Sequence, residues 1–225
     1  MTSTEAVHNR LTVTLHRIRD AITTVRTICP DWEHRNDARW AWFPGVKKVL
    51  MLTQLHLELR KVYLSDHSWW ASRHPEFETM DIPDMLSECE VLYKWWTLHQ
   101  PYAQLEEVLR RIAEALDPAF ASPKIPISRI SKYLCTELTL DKYITLFDLA
   151  HTTRNSIHNN GVFRPPDGKP KQISWKDRTY DLSPDDPLDF VSWEFVCEHI
   201  GDLTEAMCCI MCSPEISRLS DVKRL

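Results

Sequence analysis

Residues 139–163 read TLDKYITLFDLAHTTRNSIHNNGVF, and both the fold and the function of the chain turn on this stretch. Placed at the α-helical period of about 100° per residue, Leu140, Tyr143, Ile144, Phe147 and Ala150 share one face, the pattern of a helix that packs on a core. Toward the C-terminal end that face carries His151, Arg154 and His158 instead, with Asn155 on its flank. Arg154 and His158 are four apart, so their side chains are neighbours on a helix surface. Gly161 is expected to supply the left-handed residue that ends the helix, and Pro165 and Pro166 prevent its resumption. A buried stripe that changes into His, Arg and His is not what packing asks for, so the candidate site is placed there.

Outward from this stretch, 225 residues suffice for one domain, 1–225, with a substantial core. Hydrophobic content of 43% and charged content of 26% are ordinary for a globular protein. Only four glycines occur while long segments keep helical spacing, so an all-α fold is expected, an antiparallel helical bundle. Nine tryptophans, clustered as Trp40/Trp42, Trp69/Trp70 and Trp95/Trp96, point to thick helix contacts or a partner surface. The formal net charge of −5 argues against a protein that coats nucleic acid through a basic surface, and leaves room for a small basic pocket. Seven cysteines without regular spacing and no secretory signal read as reduced thiols, and a cytoplasmic location is expected. No apolar run approaches the ~20 residues that span a bilayer, so no membrane partner is expected.

In chain order, a first helix is expected from about Ser3 to Cys29, on Leu11, Val13, Leu15, Ile18, Ile22 and Val25. An aromatic, charged connector follows, then a second helix from about Val46 to Leu64. Residues from Asp66 to Asp81 read as an ordered loop held by Trp69, Trp70 and Phe77. Pro83 opens a third helix running to about His99, and Pro101 a fourth, from about Tyr102 to Leu116. A proline-rich loop and a shorter helix from about Ser128 to Leu138 lead into the central stretch. After Gly161, the segments QISW, KDR and TYDL read as a small β-hairpin near residues 172–182. A last helix runs from about Leu188 to Cys212. The domain then comprises helical residues 1–127, motif-bearing residues 128–212 and a tail at 213–225.

Arg154 presents a fixed fork of donors that suits a phosphate, and His158 is the side chain best able to move a proton near pH 7. Together they can cleave RNA without a metal, with imidazole working on the ribose 2′-OH and the leaving group. The helix C-terminal dipole favours a charged His158 and the neighbouring Arg154 opposes it. The bland alternative is that both side chains cap helix carbonyls or bond a neighbouring loop. His151, one turn earlier, is either a second proton carrier or phosphate contact, or a hydrogen-bonded interior histidine. Cys209 and Cys212 have C-x2-C spacing, but a structural zinc needs about four ligands, so Cys208, Cys209 and Cys212 read as small core thiols and no metal site is expected. No glycine-rich phosphate loop is present, and no cofactor is expected.

The string Arg154-Asn155-Ser156-Ile157-His158-Asn159-Asn160-Gly161, late in a helical bundle, resembles the signature region of HEPN-domain proteins. The resemblance spans about residues 139–212 and takes in the hairpin with Trp175 and Tyr180. It implies a helical bundle, and in many members a metal-independent endoribonuclease in which two chains dimerise and bring their motifs into one site. Other members are non-catalytic RNA-binding or protein-interaction modules, and bacterial relatives commonly serve in defence or toxin–antitoxin systems. Carried onto this chain, it implies Arg154 and His158 as catalytic residues, Asn155, His151 and Asn159 as substrate contacts, RNA as ligand and a homodimer, with a protein partner as the alternative. One departure stands beside it: the superfamily pattern spaces its Arg and His further apart than the three intervening residues here.

Overall fold

Apolar stripes at helical spacing dictate most of the architecture, and the computed structural model describes residues 4–32, 37–76, 81–219 and 222. Among these residues the fold is all-α: helices α1 (Thr4–Ile28), α2 (Trp42–Leu59), α3 (His67–Arg73), α4 (Asp81–Leu116), α5 (Ile127–Glu137), α6 (Ile144–His158), α7 (Trp193–Cys212) and α8 (Pro214–Ser217), with one hairpin of strands β1 (Lys171–Trp175) and β2 (Arg178–Leu182). The longest contact runs between α1 and α7, α2 lies on α4, and α6 is held among α4, α5 and β1. No helix among the described residues is long and apolar enough to cross a membrane.

The core follows the stripes. In α1, Val7, Leu11, Leu15, Ile18, Ala21 and Val25 are buried, while Val13 lies off the stripe and is 63% exposed. A π-helical turn, Arg60–Leu64, carries α2 to the end expected for it. The segment expected as a loop after Asp66 contains the short helix α3, where Asp66 accepts from the Ser68 N–H as its N-cap and Trp70 is buried. Phe77, expected to help hold that loop, lies outside the described residues.

The third and fourth expected helices are one. Pro101 sits inside α4, and the helix runs through it. An internal proline normally costs about 3 kcal/mol, but here Leu98, Tyr102 and Leu105 on both sides of it are buried in the core, and packing overrides the local penalty. This continuity matters for the site, because it places His99 and Glu106 on a single rigid rod.

The central helix is shorter than its sequence pattern. Thr139 has a positive φ and Asp141–Tyr143 form a 3-10 turn, so α6 begins at Ile144. Its end is a Schellman motif: the Gly161 N–H donates to the Ser156 carbonyl at 2.8 Å and the Asn160 N–H to that of Ile157 at 3.1 Å. Asn160, at φ 58°, is the left-handed residue that sequence reasoning gave to Gly161, and Gly161 follows with φ 79°. Glycine is required there for a second reason. A Cβ at Gly161 would run into the indole of Trp95 on α4.

The hairpin forms as expected, with Ile173 opposite Tyr180 on its buried face. Asp202 of α7 anchors the hairpin tip, accepting from Trp175 Nε1 and Lys176 Nζ, both at 2.7 Å, and from Arg17 of α1 at 3.1 Å. Burial works to raise the Asp202 pKa, but these hydrogen bonds hold it below its usual value. α7 starts at Trp193, later than its apolar pattern, because Ser192 caps it through the Phe195 N–H. Beyond it, Arg39, fully buried and paired with Asp37, donates to the carbonyls of Ile216 and Leu219, so α8 is tied to the body of the fold.

Gly161→Ala is expected to lower unfolding stability by roughly 2–4 kcal/mol, from a strained positive φ plus displacement of Trp95. Urea denaturation measures it, and a loss within experimental error would show that Trp95 does not fix the helix end.

Candidate functional site

The C-terminal half of α6 presents two adjacent faces, and the expected residues divide between them. Arg154 and His158 turn toward α4. The Arg154 Nη2 lies 3.3 Å from Glu106 Oε2, and its Nη1 donates to Asn155 Oδ1 at 3.2 Å. Glu106 is itself held through its other oxygen by Arg110, whose guanidinium also donates to the Ile125 carbonyl. Two arginines therefore share one carboxylate, which leaves an excess of positive charge beside α6.

His158 is exposed, and its ring stands edge-on to that of His99, with centroids 4.9 Å apart at 78°. Burial first, and then the positive charge that His158 and Arg154 place beside it, push the His99 pKa below its ordinary value. His99 is therefore a neutral imidazole at pH 7, able to accept a proton. Sequence reasoning missed it. His99 is remote from the motif along the chain, and the packing of α4 against the end of α6 delivers it.

His151 is not part of this open group. Its Nε2 lies 3.1 Å from Ser131 Oγ on α5, and its pKa is pushed down to about 4. Burial is the main cause, with Arg154 and Lys171 acting the same way and Asp148 and Glu106 opposing. Of the two roles open to it from sequence, the hydrogen-bonded interior histidine matches this geometry.

Asn155 and Asn159 belong to the other face, turned away from α4. They line a cleft of about 520 Å³ between the end of α6, β1 and the loop that follows Phe163, with Thr152, Arg164 and Lys171 also on its wall. Arg154 and His158 do not line it. Lys171 Nζ reaches Asp148 at 2.6 Å and Thr152 Oγ1 at 3.1 Å, and Arg164 pairs with Asp185 at 3.2 Å.

Elsewhere, the seven cysteines are free thiols. Among the described residues no three His, Cys, Asp or Glu side chains form a group that could hold a metal ion. A second open feature lies between α2 and α4, where Leu52, Leu55, Leu59 and Leu92 are exposed around His56, Tyr93 and Trp96 in a groove of about 480 Å³. Comparison with protein-family models, with curated proteins and with solved structures finds no match.

The His151 shift gives a pH signature. The unfolded imidazole takes a proton below about pH 6.5, while the folded one resists until about 4. Across that window the unfolded state binds more protons, so stability is complete above pH 6.5 and declines as pH falls. His151→Gln, which keeps a partner for Ser131, is expected to flatten this decline by on the order of 2 kcal/mol between pH 6.5 and 4. Urea midpoints across the pH range measure it, and parallel slopes would contradict the assignment.

Proposed function

We propose that this chain binds single-stranded RNA at the end of α6 and cleaves it without a metal. One observation carries the proposal: Arg154, His158 and His99, from two helices, come together at the end of α6, the two imidazoles 4.9 Å apart and the Arg154 charge felt at His99, so that a phosphate on Arg154 would lie beside both rings. Such cleavage needs three things, and these residue types supply them. One imidazole takes the proton of the ribose 2′-OH as its oxygen attacks phosphorus. The P–O5′ bond breaks, and the other imidazole returns a proton to the departing O5′. A cation holds the phosphate as its charge rearranges. The products are a 2′,3′-cyclic phosphate and a free 5′-hydroxyl.

The supporting groups fit these roles. His99, neutral at pH 7, suits the base, and exposed His158 suits the acid. Glu106 positions Arg154 without consuming it, because the guanidinium carries five donors and this half-buried pair engages only some of them. The HEPN resemblance points the same way and carries with it an assembly of two chains. On that reading the protein acts in defence or in a toxin–antitoxin pair, with the cytoplasm as its compartment.

The α2–α4 groove favours a second reading, a non-catalytic module of the same fold that binds protein. Four exposed leucines beside Trp96 are more apolar surface than a lone helix pair usually leaves in water. On this reading Arg154, bonded to Glu106 and Asn155, serves the fold.

Incubation with a mixed RNA pool in EDTA separates the two. Wild type is expected to leave cyclic-phosphate ends, and His158→Ala and Arg154→Ala to lose roughly 100-fold or more in rate with thermal midpoints unchanged. His99→Asn is expected to remove one limb of the pH–rate profile. Undiminished cleavage by folded His158→Ala would overturn the assignment, and an inert wild type would leave the binding module as the function.

A further inference from the structure

Asn155 is the hinge between the two faces of α6. Its Oδ1 accepts from Arg154 on the side of the histidines, yet the residue also lines the cleft on the other side. Arg154 takes one lone pair of that oxygen, so the amide keeps a second lone pair and two N–H donors. Asn159, one turn later, adds a second amide to the same wall. Asparagine amides pair a donor and an acceptor at the spacing of a nucleobase edge.

The rest of the cleft adds apolar surface: Phe163, Pro165 and Pro166 line it, with Phe163 buried and Pro165 half-buried. The wall is also rigid. Phe163 exchanges backbone hydrogen bonds with Asp185 and Asp186, Gly161 accepts from Leu188, and the Gly168 N–H closes a turn onto Pro165. A volume of about 520 Å³ lies within the usual range for small-ligand pockets. Lys171 and Arg164 also line the cleft, each paired with a solvent-accessible carboxylate, Asp148 and Asp185, in ion pairs that cost little to exchange for a ligand.

The side chains set which portion of a nucleotide enters. The amides of Asn155 and Asn159 suit a base, and its phosphate belongs toward Lys171 and Arg164 or across Asn155 toward Arg154.

We propose that this cleft is a nucleobase subsite, which seats one unstacked base of an RNA strand while the adjoining phosphate lies at Arg154. The assignment rests on the RNA reading for its place in cleavage, but not for its ligand. Hydrogen bonds to the edges of splayed-out bases are a usual mode of recognition for single-stranded RNA.

The test is titration of the full chain with AMP, GMP, CMP and UMP separately, following the side-chain amide NMR signals of Asn155 and Asn159. At least one mononucleotide is expected to shift both signals. Asn159→Leu, which removes an amide and fills the cleft, is expected to weaken that binding by tenfold or more. Arg164→Glu is expected to weaken it about fivefold; it sits on the surface, so folding is not at stake. No shift with any of the four, or equal binding by both variants, overturns the subsite. The outcome stands apart from the nuclease. Mononucleotide binding by a protein that cuts no RNA keeps the subsite and removes the cleavage reading. Cleavage with no mononucleotide response does the reverse.

Discussion

The close approach of Trp95 to Gly161 fixes the geometry on which the rest of the α6 end depends. The indole lies where any side chain at Gly161 would have its Cβ, so Trp95 of α4 packs directly on the backbone at the end of α6. Two residues with positive φ, Asn160 and Gly161, close the helix while its last carbonyls stay bonded through the Schellman turn. With the crossing set at Trp95, the residue one turn further along α4 meets the residue one turn back along α6. Those residues are His99 and His158. Their contact follows from the packing at Gly161 rather than from any attraction between the two imidazoles.

Electrostatics then separates roles among similar side chains. His151, His99 and His158 all lie near this helix end, and burial divides them. His151, enclosed and bonded to Ser131, is held neutral far below pH 7. His99 is only partly enclosed, its pKa lowered first by that burial and then by neighbouring charge, while His158 stands in solvent. Glu106 plays the complementary role. It lies between Arg110 and Arg154, so it orients both guanidiniums and cancels only one of them. A net negative chain thus keeps a small cationic spot where the end of α6 is open.

How much of this was legible in the sequence can be argued residue by residue. The change from an apolar stripe to His, Arg and His within one helix was visible, because helical periodicity reports neighbours three and four apart. The hairpin was visible because alternation and turn chemistry are local. Three things were not. Pro101 reads as a helix start by its local rule, and only burial of Leu98 and Tyr102 around it shows why α4 continues. His99 joins the motif through a tertiary crossing that no spacing in the sequence announces. The separation of Asn155 and Asn159 from Arg154 and His158 was latent in the helical angle, since successive residues diverge by about 100°. What that angle could not reveal was that the loop after Phe163 builds a cleft on one side and α4 builds a charged group on the other.

Along α4 the apolar groove and the charged group form a continuous line. Leu92, Trp96, His99, Ala103 and Glu106 recur at the spacing that places side chains on one helix face. The first two border the apolar groove against α2, and His99 and Glu106 border the end of α6. An RNA strand approaching a chain of net charge −5 gains little from long-range attraction. Its affinity must come from contacts made at close range, stacking and hydrogen bonds to bases, with a few phosphates neutralised locally. Such binding depends weakly on salt and strongly on which bases are unpaired. The physical character of the surface therefore favours selection of exposed, single-stranded positions over indiscriminate coating, and a second macromolecule seated on the adjoining apolar groove would lie against that same path.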